Sequence, residues 1–456
     1  LLNVKFKIII PVLLFFLLVF SFRLPFFFNS SVLALLLSIF LINNRSINIF
    51  ISIFRDKLTV LILLSFIIPF FYASCSTVLQ AQYDFSFLSI LASNLFYVFT
   101  SIWIGVASFS YMMNNQHYCI DDIKGDGVFE SIYIINYAFL LQSLIIFLAF
   151  LNPSLAKVVQ GFQIPSQVEI SSSYYGGGVR GLALSGGQFF NLSAAYALVC
   201  FFWVISILRA KNSLGQLITL LLFSIFFIPS ITTGRTVFVG FAFSFLFLFL
   251  LVEFKYKVKI FINIALLFLI MILFSYVFFS MCESCNVSKL DSLFRFAFEF
   301  LYNFIETGSF TTSSTEKLKL MYFLPDVSTI LFGDGRYSSE TGRYYMATDS
   351  GYMRNILLFG APISFLFFLY QLGLLYRIFS LFSKSFATLP NVVKGFSPPR
   401  FKFVTTTVIM LFMLTLHYKG EAVAYLVTLN AVFLFLYGFV MSSAKLKVLS
   451  KKYDRN

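Results

Sequence analysis

The sequence predicts an all-α, polytopic membrane protein, and three observations carry that expectation. Fifty-nine per cent of the residues are hydrophobic and only 11% are charged, far from the balance of a soluble domain. Several apolar runs reach the roughly 20 residues that a helix needs to cross a bilayer. These runs are continuous, whereas a membrane β-barrel would show alternating segments of about ten residues. The 65 phenylalanines are interchangeable apolar filler on such helices and point to no function.

In chain order, spans are expected at roughly 6–22, 24–42, 58–80, 87–113, 131–151, 187–207, 214–231, 236–252, 260–280, 355–378, 403–418 and 422–442, about twelve in all. The first follows Lys5 and Lys7 and lacks a small-residue cleavage site, so it is expected to be retained. Only Arg23 and Pro25 separate it from the second, which makes that hairpin very tight. An even number of spans puts both termini on one side. If that side is the cytoplasm, most of the 33 basic residues fall inside, as the positive-inside rule requires. The net charge of +14 is thereby explained without nucleic acid. No internal repeat and no soluble domain with its own core is visible, so residues 1–456 are expected to form one membrane domain.

Two external loops stand out by length, 152–186 and 281–354, and loops this long are usually functional. Within the second, residues 290–306 have a helical pattern. Asp291, Arg295, Glu299, Tyr302, Asn303 and Glu306 share one face, with Phe and Leu opposite. An amphipathic helix lying in the outer interface is expected there. The loop ends in Leu331–Gly360, which concentrates Asp334, Arg336, Glu340, Arg343, Asp349 and Arg354 beside glycines and tyrosines. Charge held at a membrane boundary is a mark of function. The glycines of Gly333-Asp334-Gly335 are expected to serve turn geometry rather than binding.

Three other stretches carry candidate chemistry. In Tyr174–Asn191, six glycines surround Arg180. Such backbone presents N–H groups to an anion, and guanidinium grips phosphate oxygens in a fork; a flexible loop before span six is the alternative. In Pro229–Phe238, Arg235 sits in a short outer turn, where it either snorkels as a cap or meets a lipid's pyrophosphate. In Leu416–Tyr425, His417, Lys419 and Glu421 fall within five positions. There, a plain ion pair and a structural histidine compete with catalysis. Cys282 and Cys285 suggest a local disulfide rather than a metal site, since no second Cys/His pair accompanies them. Asp121, Asp122 and Asp126 face the other side, so no metal or cofactor is expected at the outer loops.

The order of these features resembles the O-antigen polymerase (Wzy) family of Gram-negative bacteria and, more distantly, the O-antigen ligases. The features are an Arg-Gly segment before a mid-chain span and a Thr-Gly-Arg-Thr turn between two spans. A long loop follows, ending in Phe-Gly-Asp-Gly and then Asp349-Ser-Gly-Tyr-Met-Arg. The resemblance implies an inner-membrane glycosyltransferase of GT-C type, with both long loops in the periplasm. It would move a growing glycan from undecaprenyl pyrophosphate onto a new lipid-linked repeat unit. Arg180 and Arg235 match the family's loop arginines and imply pyrophosphate binding. Asp349 falls where the ligases have a histidine, and the arginine often found in the loop's Ser/Thr-rich segment is Lys317 here, or absent.

The chemistry such a reaction needs fits these residue types. A glycosyl pyrophosphate already carries a good leaving group, so neutralising charge is the main requirement, and arginine does this without a metal. The acceptor hydroxyl needs a base, for which Asp349, Glu421 and His417 are candidates in that order. Arg336, Arg354, Tyr352 and Lys419 are expected to face the glycan, with interface anchoring the alternative for the tyrosines. Expected partners are the lipid-linked oligosaccharides, the bilayer and a chain-length-regulating membrane protein. A ligase or a lipid-linked oligosaccharide flippase is the rival. A flippase needs a polar cavity between similar halves, whereas polar residues here gather in two loops; the missing histidine argues against a ligase.

Overall fold

The computed structural model describes residues 2–25, 29–114, 126–174, 179–210, 213–251, 295–309, 311–340, 342–386 and 398–453, with isolated helical positions between 262 and 273. It is helical over most of this range. The described residues form no strand, only the isolated bridges Arg23–Asn29 and Ser338–Tyr344. Eight helices among the described residues are long and apolar enough to cross a membrane, and three shorter apolar helices accompany them. The chain is an all-α membrane protein of several spans.

The first half comprises α1 (Leu2–Phe20), α2 (Ser30–Ile39), α3 (Asn44–Phe54), α4 (Lys57–Leu79), α5 (Phe87–Asn114) and α6 (Asp126–Leu151). The short α7 (Pro153–Gly161) and α8 (Pro165–Tyr174) follow, and then α9 (Phe190–Arg209), α10 (Ser213–Ser230) and α11 (Thr236–Leu251). The second half holds α12 (Glu299–Thr307), α13 (Ser313–Leu320), α14 (Val327–Phe332), α15 (Gly351–Phe359), α16 (Ala361–Phe386), α17 (Pro398–Lys419) and α18 (Val427–Tyr453).

Several expectations change in detail. The second span does not run unbroken over 24–42. Arg23 and Asn29 pair in an isolated bridge ahead of α2, α2 has ten residues, and Asn43 then opens the separate amphipathic helix α3 by accepting the Ser46 N–H. The expected loop 152–186 folds largely into α7 and α8. The tenth span divides at Gly360, with α15 and α16 meeting there. The amphipathic helix expected over 290–306 is seen as α12 with a helical turn before it. Residues 291–294, Cys282, Cys285, Asp121, Asp122 and most of the span at 260–280 lie outside the described residues.

Helices α9 and α18 form the centre: 83% and 89% of their apolar stretches are buried, against 33% for peripheral α4. In lipid no hydrophobic force draws apolar helices together, so close backbone approach must do so. Gly105 of α5 and Gly438 of α18 supply it. A Cβ on Gly105 would meet the Phe435 carbonyl oxygen, and one on Gly438 the Ile102 carbonyl oxygen. The helix ends alternate, so that one end of the bundle gathers the α4–α5, α10–α11 and α17–α18 turns with the start of α9. Asn191 O accepts from Thr428 Oγ1 there, and Tyr425 O from Asn94. At the opposite end Arg377 pairs with Asp56 at 3.2 Å.

Gly438→Val should therefore lower the melting midpoint in detergent, since overpacking typically costs about 1–3 kcal/mol. Gly161→Ala, with nothing within 4 Å of its added Cβ, should melt like the parent; equal melting of both variants would overturn the α5–α18 contact.

Candidate functional site

At the gathered end lies a cavity of about 900 Å³, large even among ligand sites, which commonly span ~300–1,000 Å³. Arg180, Arg235, Lys317, Lys419, Asp349, Arg354 and Glu421 all line it.

Each basic residue is held by a definable local device. The 3₁₀ turn Val179–Gly181 that carries Arg180 is stapled by Gln163, whose amide donates to Gly181 O (2.8 Å) and Ala183 O (2.6 Å). Gln188 and Ser185 complete the staple, Ser185 Oγ reaching Phe20 O at 3.1 Å. Arg180 Nη2 donates to Thr233 O at 3.2 Å, which joins this loop to the Thr-Gly-Arg-Thr turn. In that turn Thr232 and Thr233 bond back to Pro229 O and Ser230 O, satisfying carbonyls at the end of α10. The next residue but one, Arg235, is ion-paired with Glu299 and donates to Ser314 Oγ at 3.2 Å. Both guanidinium groups stack on Phe296, at 4.6 and 4.9 Å. Lys419, at the end of α17, lies within electrostatic reach of both arginines.

A second pole is built around Arg354. Its side chain is only 5% exposed, and Nη1 pairs with Glu421 Oε2 at 2.7 Å. The guanidinium lies over the rings of Tyr344 (3.5 Å) and Tyr337 (4.0 Å). Tyr337 donates its hydroxyl to the same Glu421 oxygen at 2.9 Å, and its own pKa is pushed up by burial and by that carboxylate. Burial likewise raises the Glu421 carboxyl, against the pull of Arg354 and the Tyr337 hydrogen bond. The Tyr337 segment is anchored by Asp84, which accepts the Tyr337 and Ser338 backbone N–H groups at 2.7 and 2.6 Å. Gly333 and Gly335, at φ +72° and +64°, are turn residues packed against α15 and α4. Asp349 lines the same cavity. Burial pushes its carboxyl above the usual range, partly offset by Arg354.

Six of the nine residues singled out from sequence thus meet in one cavity, and three do not. His417 is fully buried: Nδ1 accepts the backbone N–H groups of Ala422 and Val423, both at 3.2 Å. The neutral ring therefore carries its proton on Nε2, which donates to the side-chain amide of Asn355, 3.1 Å away, with that amide turned to present its oxygen. Both nitrogens are occupied, and His417 acts as a clamp on the α17–α18 turn. Tyr352 stacks on Phe368 and donates to Leu414 O at 3.1 Å, away from the cavity. Arg336 packs over Tyr345 and does not line it. Arg354 lines the cavity but spends its guanidinium on Glu421 and two tyrosines. Glu421 is correspondingly engaged, which leaves Asp349 the more open carboxylate.

Residues that the sequence did not flag are Asp84, Tyr344's stacking on Arg354, and the Glu299–Arg235 pair. Only the last left a signal, the placing of Glu299 on the polar face of an amphipathic pattern. Among the described residues no group of three or more His, Cys, Asp or Glu side chains is assembled to hold a metal ion. Fold and site define a polytopic helical membrane protein with a cavity that is cationic at one pole and carboxylate-bearing at the other. No protein-family model, no characterised protein and no solved structure matches the chain.

His417→Ala should strand two buried N–H donors at about 1–3 kcal/mol each. The expected result is a lower melting midpoint and less folded protein, with ligand binding retained by the fraction that folds; loss of binding at unchanged stability would return His417 to the site.

Proposed function

We propose that the chain is an O-antigen polymerase, a GT-C-type glycosyltransferase of the bacterial inner membrane acting at the periplasmic face. The donor is a growing glycan on undecaprenyl pyrophosphate, and the acceptor is a hydroxyl of a new lipid-linked repeat unit. The observation that carries this reading is the convergence of Arg180, Arg235 and Lys419 with Asp349 in one cavity.

The step balances with groups of this chain alone. The bond between the donor's anomeric carbon and the pyrophosphate oxygen breaks, and the acceptor oxygen forms a bond to that carbon. The acceptor's proton goes to Asp349. Negative charge growing on the departing undecaprenyl pyrophosphate is met by Arg180, Arg235 and Lys419, cations fixed before the reaction and therefore effective in a confined site. Arginine suits this because it stays charged and meets phosphate oxygens in a fork, so no metal is required. Glu421 is neutralised by Arg354, and the pair holds the Tyr337–Tyr344 wall.

The function is tested by deleting the gene and examining the surface polysaccharide. A single repeat unit on the lipid A core is the expected result, whereas loss of all repeat units would indicate a flippase or ligase. In the same strain Arg180→Ala or Arg235→Ala should fail to restore polymer while inserting normally, and Arg235→Lys should restore it only in part. Near-normal polymer from both alanine variants would sink the pyrophosphate assignment.

Asp349 must be unprotonated to accept a proton, and its pKa is raised. Activity should therefore fall as pH drops through a value above the ordinary Asp pKa of about 3.9. Asp349→Asn should remove that limb along with roughly 10²–10⁴-fold of the rate; a wild-type acid limb in the Asn variant would exclude Asp349 as the base.

A further inference from the structure

Arg235, one of the two arginines assigned to pyrophosphate, already holds an anion. Its Nη1 is ion-paired with Glu299 Oε2, and its Nη2 donates to Ser314 Oγ at 3.2 Å. The other carboxylate oxygen, Glu299 Oε1, accepts the Ser313 backbone N–H at 2.7 Å. Arg235, Glu299, Ser313 and Ser314 all line the cavity, as do Arg180, Lys317 and Lys419. The Arg235 guanidinium together with the backbone N–H and hydroxyl of Ser313 meets the Glu299 carboxylate, and these make the donor set that a phosphate group takes. Glu299 is kept anionic there. Burial raises its carboxyl, but the Ser313 hydrogen bond and the Arg235 charge bring it below the usual range.

The helix that carries this carboxylate is placed to release it. No residue of α12 is buried. Besides the Glu299 contacts, Asn303 donates to Thr311 O at 2.8 Å on the α13 side. Withdrawal of Glu299 therefore exposes no core.

The geometry points to Glu299 as a resident stand-in for phosphate: Arg235 and the N–H and hydroxyl of Ser313 form an anion subsite, beside Ser314, that Glu299 fills until a ligand's phosphate group displaces it. This rests on the reading of the cavity as a pyrophosphate site. A carboxylate brings one charge and two oxygens, while a pyrophosphate brings more of both to a cavity that Arg180, Lys317 and Lys419 also line. The incoming phosphate group therefore wins Arg235. When the product lipid leaves, Glu299 returns, so the arginine is not left without a counter-charge. Binding carries a penalty set by how seldom the subsite stands open.

The test uses the purified full chain in detergent, titrated calorimetrically with inorganic pyrophosphate and with a short-chain prenyl pyrophosphate. Wild type is compared with Glu299→Gln, Glu299→Ala and Arg235→Gln, with melting midpoints as a check on folding. If the subsite is open about a tenth of the time, both Glu299 variants should bind about tenfold more tightly, and Arg235→Gln should lose binding. Tightening for both probes assigns the subsite to the phosphate chemistry itself, and tightening for the prenyl probe alone assigns it to a lipid headgroup. Folded Glu299 variants that bind as wild type does, or more weakly, would overturn the stand-in while leaving the pyrophosphate reading intact. If no form of the protein binds either probe, the pyrophosphate reading fails and the subsite fails with it.

Discussion

Backbone that leaves helical form inside a membrane protein must have every polar group satisfied, because the surroundings offer no water to do it. The turn at residues 420–426, between the last two helices, meets this demand with side chains from three helices. His417 takes the N–H groups of Ala422 and Val423, Asn94 donates to Tyr425 O, and Asn430 donates to Ala424 O at 2.6 Å and to Asn94 at 2.9 Å. Ala424 sits at φ +65°, a conformation kept only because its neighbours hold it. On this turn rides Glu421, and through Glu421 the placement of Arg354, Tyr337 and Tyr344.

The buried pair Arg354–Glu421 is a further consequence of that arrangement. Two desolvated charges gain little net stability from each other, but removing one leaves the other uncompensated, at about 3–5 kcal/mol. The pair is therefore better understood as a fixed joint between α15 and the turn than as a source of stability. Its rigidity defines one wall of the cavity. The opposite wall is built from Arg180 and Arg235 around Phe296, two cations sharing one aromatic ring. Like charges this close need a counter-ion, and the fold supplies Glu299 from the second long loop.

The difference between the two walls is one of burial. Arg354 is 5% exposed and Glu421 12%, while Arg235 and Glu299 are 16% and 23% exposed. The more open pair exchanges partners at lower penalty, so the cationic wall is the adaptable one and the tyrosine wall the fixed one. Asp349 lies in the same cavity as both and is raised in pKa by its surroundings.

The sequence by itself determined the class of protein, because hydropathy and run length report directly on the solvent a helix meets. It also picked out Arg180, Arg235, Asp349, Arg354, Lys419 and Glu421, since charge in an apolar chain is conspicuous wherever it stands. What it could not decide was the use of each one. His417 and Glu421 stand four residues apart, yet one is a buried clamp and the other a cavity wall, because a helix end and an unwound turn point side chains in different directions. Tyr352 and Tyr344 belong to the same tyrosine-rich stretch, and only Tyr344 reaches the cavity. The break between α2 and α3 was equally illegible as a span boundary, since length alone does not show that one helix ends at Ile39 and that polar Asn43 caps the next. Partners such as Asp84 with Tyr337 are more than 250 residues apart in the chain, and contacts at that separation exist only once the bundle has closed.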